Sequence, residues 1–488
     1  MFYSSTRGDT KKVQSAEAII KGLAPDKGLY TPDCIPTLSE DEKIFIKKSS
    51  YKEVAKLIFG KFLTDFSKEQ IEKCVELAYN NSFEQANVAP VYKLDDNTEI
   101  LELWHGPTCA FKDVALQILP YFLTTAIEIT GEKNEIAIIV ATSGDTGKAA
   151  LEGFKDVKGT KIVVLYPSEG VSLVQKQQMI TQEGSNVSVI AIRGNFDDAQ
   201  TAAKNIFIND ELNEKLLQDG IKLSSANSIN WGRLLPQIVY YIKSSLDFNS
   251  NNVDYIVPTG NFGNILAAYF AKKMNAPVGK LICASNQNNV LTDFIKTGIY
   301  DKRREFVKTI SPSMDILISS NLERLLYELS NHNTTLIQNL MNDLEQKGYY
   351  KIPHDLKEEI DKLFYATSAT DDETKEAIKN CYDKYQYLLD THTAVAYHGY
   401  LEYQKDDKNN KSNKTIIVST ASPYKFPIGV CSALNIDINK NEYELLNTLE
   451  TLTKVKIPAP LQGLEDKKIL HSLICDKEEI LPTIMELL

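Results

Sequence analysis

Cysteine is scarce and scattered: the chain has seven, at positions 34, 74, 109, 283, 381, 431 and 475, an odd number with no CxxC spacing. That pattern excludes a disulfide framework and a zinc site. Long apolar runs are also missing, and the opening MFYSSTRGDTKK lacks the apolar centre of a secretory signal. With nothing long enough to span a bilayer, no membrane partner is expected, and the protein is expected to be soluble and cytoplasmic. Positive charge is in deficit, with 54 Lys and Arg against 65 Asp and Glu and a net charge of −11. No basic run compensates, which argues against a nucleic-acid partner while leaving room for a local basic pocket that binds a small anion. No internal repeat or targeting segment stands out either.

What is there is a chain of 488 residues, enough for more than one core and about two or three domains. Residues 1–95 mix short amphipathic stretches such as YKEVAKLIFGKFL with Gly-Pro turns and read as an amino-terminal domain. From 96 to about 300, strand-like runs (IAIIV, KIVVLY, VSVIAIR, VDYIV, KLICAS) alternate with helical patterns, which argues for an α/β fold of parallel sheets flanked by helices. Residues 315–390 turn polar and helical and read as an insertion within a core extending to 440. A strand returns at Thr415, the run KDDKNNKSNK at 405–414 reads as a solvated loop, and residues 441–488 read as a small carboxy-terminal appendage with a helical tail.

Three strand-to-turn segments and one lysine carry the chemistry. Lys112, in LELWHGPTCAFKD (101–113), follows a His-Gly-Pro turn in a stretch poor in other charges. Partial burial there would lower its pKa and free the amine to attack a carbonyl, although lysine after phenylalanine also suits simple snorkelling. Cys109, three residues earlier, reads as a small packing residue. In IAIIVATSGDTGKAALEGF (136–154), a strand from Ile136 to Val140 leads to a turn over Ser143–Gly147 and a helix from Lys148. The turn aims N–H groups and hydroxyls at an anion or serves geometry alone. It is not an ATP loop, because only two residues separate Gly144 from Gly147 and Ala149 stands where a magnesium-binding hydroxyl belongs. In VDYIVPTGNFGNILAAYFAKKM (253–274), Gly260 and Gly263 permit close backbone approach before a helix, and Asn261 and Asn264 flank Phe262 as candidate side-chain donors to a phosphate. TIIVSTASPYKF (415–426) ends a strand in hydroxyl residues, where Thr420 is placed to meet a ring nitrogen.

Taken in that order, and with STRG, GLAPDKGLYTP, SANSINWGR and THTAVAY, these segments resemble the threonine synthases, members of the tryptophan synthase β-like, fold type II group of pyridoxal phosphate (PLP) enzymes. The resemblance covers nearly the whole chain and points to the larger bacterial and fungal subgroup. It implies two parallel-sheet subdomains and a PLP cofactor bound as a Schiff base on Lys112. The cofactor's phosphate would lie in the loop of Gly260, Asn261, Phe262, Gly263 and Asn264, its ring nitrogen at Thr420 and its phenolic oxygen near Asp145. The implied substrate is O-phosphohomoserine, with its carboxylate at Ser143 and Thr146 and its phosphate near Asn227, Ser228 and Arg233, and the implied products are L-threonine and phosphate. A phospho-lyase of the same fold and a non-catalytic binding relative are the alternatives. One departure is local: where the family often has His-Pro-Ala-Lys-Phe, Ser422 and Tyr424 replace the histidine and alanine, so no role for that histidine transfers. His105 and His392 are left outside the catalytic set. The amino-terminal and helical additions cover surfaces used for pairing in smaller relatives, so a monomer or weak homodimer is expected.

Overall fold

Two sheets divide the core between them. The computed structural model describes residues 1–169, 171–248, 250–406 and 413–488, so positions 407–412 of the expected solvated loop lie outside the described residues. The larger sheet has six strands in the order Phe364–Ser368, Val278–Ser285, Val253–Pro258, Lys414–Ser419, Thr98–Glu102 and Val91–Lys93. All neighbours run parallel except the last pair. The smaller sheet has five parallel strands in the order Leu473–Cys475, Val187–Ile192, Thr160–Pro167, Glu135–Ala141 and Ile221–Ser224. Its fourth strand carries the β-branched run Ile136–Val140, buried on both faces as an inner parallel strand with helices above and below must be.

Besides Tyr349–Lys351, which pairs with Ile299–Asp301, two strands fall where helical periodicity is the dominant signal. Within 315–390 the helices Leu322–Leu329, Thr334–Gln346, His354–Leu363 and Asp371–Tyr385 form. Between the last two, however, Phe364–Ser368 pairs with Leu281–Ser285 and completes the large sheet. The tail likewise supplies Leu473–Cys475, which closes the edge of the small sheet against Ile190–Ile192. Five and three residues are too few for a period-two pattern to stand out beside longer amphipathic helices.

Residues 1–79 build a three-stranded antiparallel sheet and the helices Glu40–Lys48, Tyr51–Phe62 and Lys68–Ala78. Each of these helices starts with a reciprocal capping box (Ser39 with Glu42, Ser50 with Glu53, Ser67 with Gln70). Such a cap contributes about 1 kcal/mol. This layer grips the core through Trp231, which is fully buried with the rings of Tyr3 and Phe62 at 5.6 and 5.5 Å. Trp231 opens the Trp231–Asp247 helix, so the amino-terminal layer fixes the start of the helix that carries Arg233. Among the described residues no helix is long and apolar enough to cross a membrane.

Candidate active site

The parallel strands end on one set of turns. Pro258 leads into GNFGN, Ala141 into TSGDTG and Ser419 into Thr420, and the carboxyl ends of parallel strands are where α/β folds place ligands. The lysine loop is folded against them by its own polar groups. Asp113 accepts the Thr108 N–H at 2.8 Å and the Thr108 hydroxyl at 2.6 Å, and its side chain comes so close to Gly106 that a Cβ there would lie 2.5 Å away. Burial pushes the Asp113 carboxyl up to about 6 against the pull of those hydrogen bonds. The Phe111 N–H donates to the Thr420 carbonyl at 2.8 Å, joining the loop to the end of the Lys414–Ser419 strand.

Lys112 does not sit in the loop; it opens a short helix, Lys112–Leu116, and only 8% of it is exposed. Its Nζ lies 3.3 Å from Asp145 Oδ2 and 3.4 Å from Ser313 Oγ, 4.9 Å above the Phe111 ring. Burial lowers its pKa; Asp145 opposes this, while the nearby positive charges of Lys425 and Arg233 add to it. A buried amine of lowered pKa is the ordinary requirement for a lysine nucleophile or base.

Asp145 is the first residue of the Asp145–Phe154 helix, which therefore starts three residues before the expected Lys148. Gly144 makes the entry with φ +140°, and a Cβ there would strike the Gln175 amide at 2.7 Å. Asp145 Oδ1 accepts from Lys425 Nζ at 2.8 Å and Gln175 Nε2 at 2.7 Å. Burial alone would raise this carboxyl, but Lys425 and then Lys112 hold it far below the usual carboxylate range. Gly144 and Gly147 N–H groups go to the Thr142 hydroxyl, and half-buried Ser143 and Thr146 complete the turn.

The GNFGN loop turns through Phe262, a non-glycine residue at φ 63°, whose side chain is buried against Phe364. The turn separates the two asparagines. Asn261 is exposed and its carbonyl accepts the Asn321 N–H and Nδ2, whereas Asn264 is buried, with Oδ1 accepting from Tyr240 and Tyr241 at 2.7 and 2.6 Å. Asn264 Nδ2 has no partner. The Leu266 N–H is the first in the Gly263–Lys273 helix to find a carbonyl, that of Phe262. Ser228 accepts from Asn321 Nδ2 at 3.3 Å beside this loop, and half-buried Asn227 accepts the Asn230 N–H. Arg233, 3% exposed, donates Nη1 to the Ala226 carbonyl; its Nε is unpartnered, and burial lowers its pKa to about 10 with no carboxylate in opposition.

Four residues beyond the expected set complete the cluster. Lys425 and Gln175 hold Asp145, Ser313 touches Lys112 and Asp145, and Asn321 links GNFGN to Ser228. Ser313 is carried by the segment ahead of Leu322, which Asp315 anchors by accepting from Asn286, Asn288 and Thr309. His392 reaches this segment too: its Nε2 accepts the Ser313 N–H at 3.1 Å while Nδ1 faces Asp390 at 3.1 Å. His105 lies between Glu102 and Glu84 at 2.8 and 3.0 Å, stacked on Trp104. Where the family's usual histidine is missing, buried Ser422 accepts the Tyr424 N–H, and Tyr424 donates to the Val455 carbonyl.

Comparison with known proteins meets this geometry from outside. Residues 2–79 match the family model described as threonine synthase N terminus, and residues 100–421 match that of the pyridoxal-phosphate dependent enzymes. The threonine synthase of Saccharomyces cerevisiae is 37% identical over 93% of this chain and 94% of its own length. The chain belongs to the threonine synthase family of PLP-dependent enzymes. A crystal structure of PLP-bound threonine synthase from Brucella melitensis aligns with 36% identity and a TM-score of 0.89, over 100% of this chain and 98% of that one. This establishes the fold type II architecture. Threonine synthase-like 1 of Pongo abelii is 42% identical over 89% of this chain, and the match spans 60% of the length of that relative. The family's cofactor is PLP, and the residues present fit it: a buried, unpartnered donor on Asn264, a buried lysine of lowered pKa, and helix N–H groups at GNFGN suit a phosphorylated aldehyde.

Proposed function

We propose that the protein is a threonine synthase, converting O-phospho-L-homoserine and water to L-threonine and phosphate. The observation that carries this reading is Arg233: a buried guanidinium with a free Nε and no carboxylate partner, within electrostatic reach of a lysine of lowered pKa. An uncompensated buried cation is costly unless a ligand anion completes it, and guanidinium geometry suits phosphate. Two phosphates must be held, that of the cofactor and that of the substrate, and the donors form two groups. Gly260–Asn264 would take the first, and Arg233 with Asn227 and Ser228 the second.

PLP, when bound, supplies the electron sink that makes the protons next to the substrate's amino carbon removable. Lys112 would bind it and then move protons at the substrate's Cα and Cβ. Thr420 would face the ring nitrogen with a hydroxyl rather than an acid, which suits elimination chemistry. Asp145 would stand near the phenolic oxygen, and the Ser143–Thr146 turn would hold the substrate carboxylate. Loss of phosphate from Cγ, delivery of a proton to Cγ, addition of water at Cβ and return of a proton to Cα complete the change. The burial of Lys112, Asp145 and Arg233 keeps bulk water from a reaction that must admit one water at one carbon.

A second reading is a phospho-lyase, favoured by the higher identity to relatives called threonine synthase-like 1, 42% against 37% for the yeast synthase. The two are separated by their products. Holoenzyme incubated with O-phosphohomoserine is expected to release phosphate and threonine in equal amounts; phosphate with 2-oxobutyrate and ammonia would replace the synthase reading by the lyase, and no phosphate release would defeat both.

A further inference from the structure

If Lys112 is the cofactor-bearing lysine, the site holds a second buried cation that this chemistry does not use. Lys425 lies in the Pro423–Lys425 turn after the Lys414–Ser419 strand, with no exposure to solvent. Its Nζ donates to the Thr108 carbonyl at 2.9 Å and is paired with Asp145 Oδ1 at 2.8 Å. Asp145 is thus shared between two lysines, and shared unequally. Oδ1 is filled by Lys425 and by Gln175 at 2.7 Å, while Oδ2 faces Lys112 and Ser313, each at 3.3 Å. The first distances are those of charge-assisted hydrogen bonds, and the second are longer. The better-placed ammonium is not the reactive one.

We propose that Lys425 is a positioning residue for Lys112: by occupying Asp145 Oδ1 it keeps the carboxylate ionised, denies Lys112 a tight counter-ion and sets a like charge beside it, so that the Lys112 amine sheds its proton. Without Lys425, the carboxylate would serve Lys112 alone in a close buried ion pair, and a close pair holds its proton. The Thr108 carbonyl keeps Lys425 in place, because the loop that supplies it leads directly into the helix that Lys112 opens. The charged and titratable groups around the three side chains are few. Lys112 faces Asp145, Lys425 and Arg233; Asp145 faces the two lysines and His392; Lys425 lies near Asp145, Asp113 and Cys109. Burial raises the Cys109 thiol and thereby favours its neutral form. Lys425 is therefore the only lysine among the described residues that competes with Lys112 for the carboxylate. This inference rests on the cofactor reading of Lys112 and deepens it.

The test reads Lys112 without turnover. The rate at which apo-protein takes up PLP, followed by visible absorbance between about pH 6 and 10, reports the fraction of Lys112 present as free amine. Lys425→Met and Lys425→Gln remove the charge, and Lys425→Arg keeps it. Both neutral variants are expected to take up PLP roughly ten-fold more slowly at neutral pH, with the half-maximal rate moved up by about one pH unit, while the arginine variant follows the parent. Neutral-variant profiles that superimpose on the parent overturn the proposal, as does an arginine profile that moves as far as the methionine one. Failure of both neutral variants to fold, read by circular dichroism, would make Lys425 a structural support and overturn it equally. Borohydride reduction and peptide mapping of the same samples keep the two levels apart. A label on another lysine defeats the reading of Lys112 itself, whereas a label on Lys112 with an unmoved profile defeats only the role of Lys425.

Discussion

The site has two sides, and they are held in different ways. On the large-sheet side, the GNFGN loop is fixed by neutral groups: Asn321 on the Asn261 carbonyl, Ser319 Oγ on the Gly260 carbonyl at 2.7 Å, two tyrosines on Asn264, and Phe262 in the core. On the small-sheet side, Asp145 meets the opposite side of the site mainly through charge, by way of Lys425 and Lys112. Neutral contacts of that density cannot be released one at a time, whereas an ion pair responds to any change in either partner's charge. The contrast suits a cofactor retained through many cycles on one side and a substrate that enters and leaves on the other.

The most severe way to break this asymmetry is Lys112→Ala, which removes the proposed proton carrier and one of the two cations on Asp145. Turnover of O-phosphohomoserine is expected to fall by at least about 10³-fold. Circular dichroism should be unchanged, because Lys425 still pairs the carboxylate. Retention of more than a few per cent of activity would move the chemistry to another lysine. A smaller effect is expected from Arg233→Ala, which tests whether substrate phosphate and cofactor phosphate have separate donors. Losing a charge-assisted donor contributing about 1.5–3 kcal/mol should weaken phosphohomoserine binding some ten- to a hundred-fold, with PLP still bound at parent stoichiometry. Departure of the cofactor would place Arg233 on the other side of the comparison. The mildest perturbation is a non-reactive phosphonate analogue added to holoenzyme. It should slow hydrogen exchange at residues 143–147 several-fold while changing 260–265 by less than about two-fold. Equal protection of both segments, or of neither, would remove the distinction between a switchable and a fixed side.

How much of this was legible in the sequence depends on how local the signal is. The strands around IAIIV and VDYIV are read directly from β-branched runs, GNFGN and the TSGDTG turn from residues contiguous with them, and the lysine loop from its own HGPTCAFKD string. Phe364–Ser368 and Leu473–Cys475 escape because a short strand between or after helices has no period of its own. Ser313, Gln175 and Lys425 escape for a different reason. Ser313 and Gln175 reach the centre from segments with no motif of their own, Ser313 from 201 positions away from Lys112, and only tertiary packing makes the three neighbours of the site. Lys425 even stands in the ASPYKF segment, where the absent histidine draws attention three residues away from the lysine that carries the contact. Asn261 and Asn264, on either side of Phe262 in sequence, differ because one left-handed residue turns the first outward.

The bond from Lys425 to the Thr108 carbonyl spans 317 positions of the chain. Closing so long a loop comes late in folding, because its entropy must be met before the contact returns anything. A refolding chain therefore has its lysine loop long before it has the pocket around it, and an aldehyde offered early meets Lys112 as one surface amine among many. Cofactor capture is then a clock for the last step of assembly, running behind the return of helical signal by as long as the two distant segments take to meet.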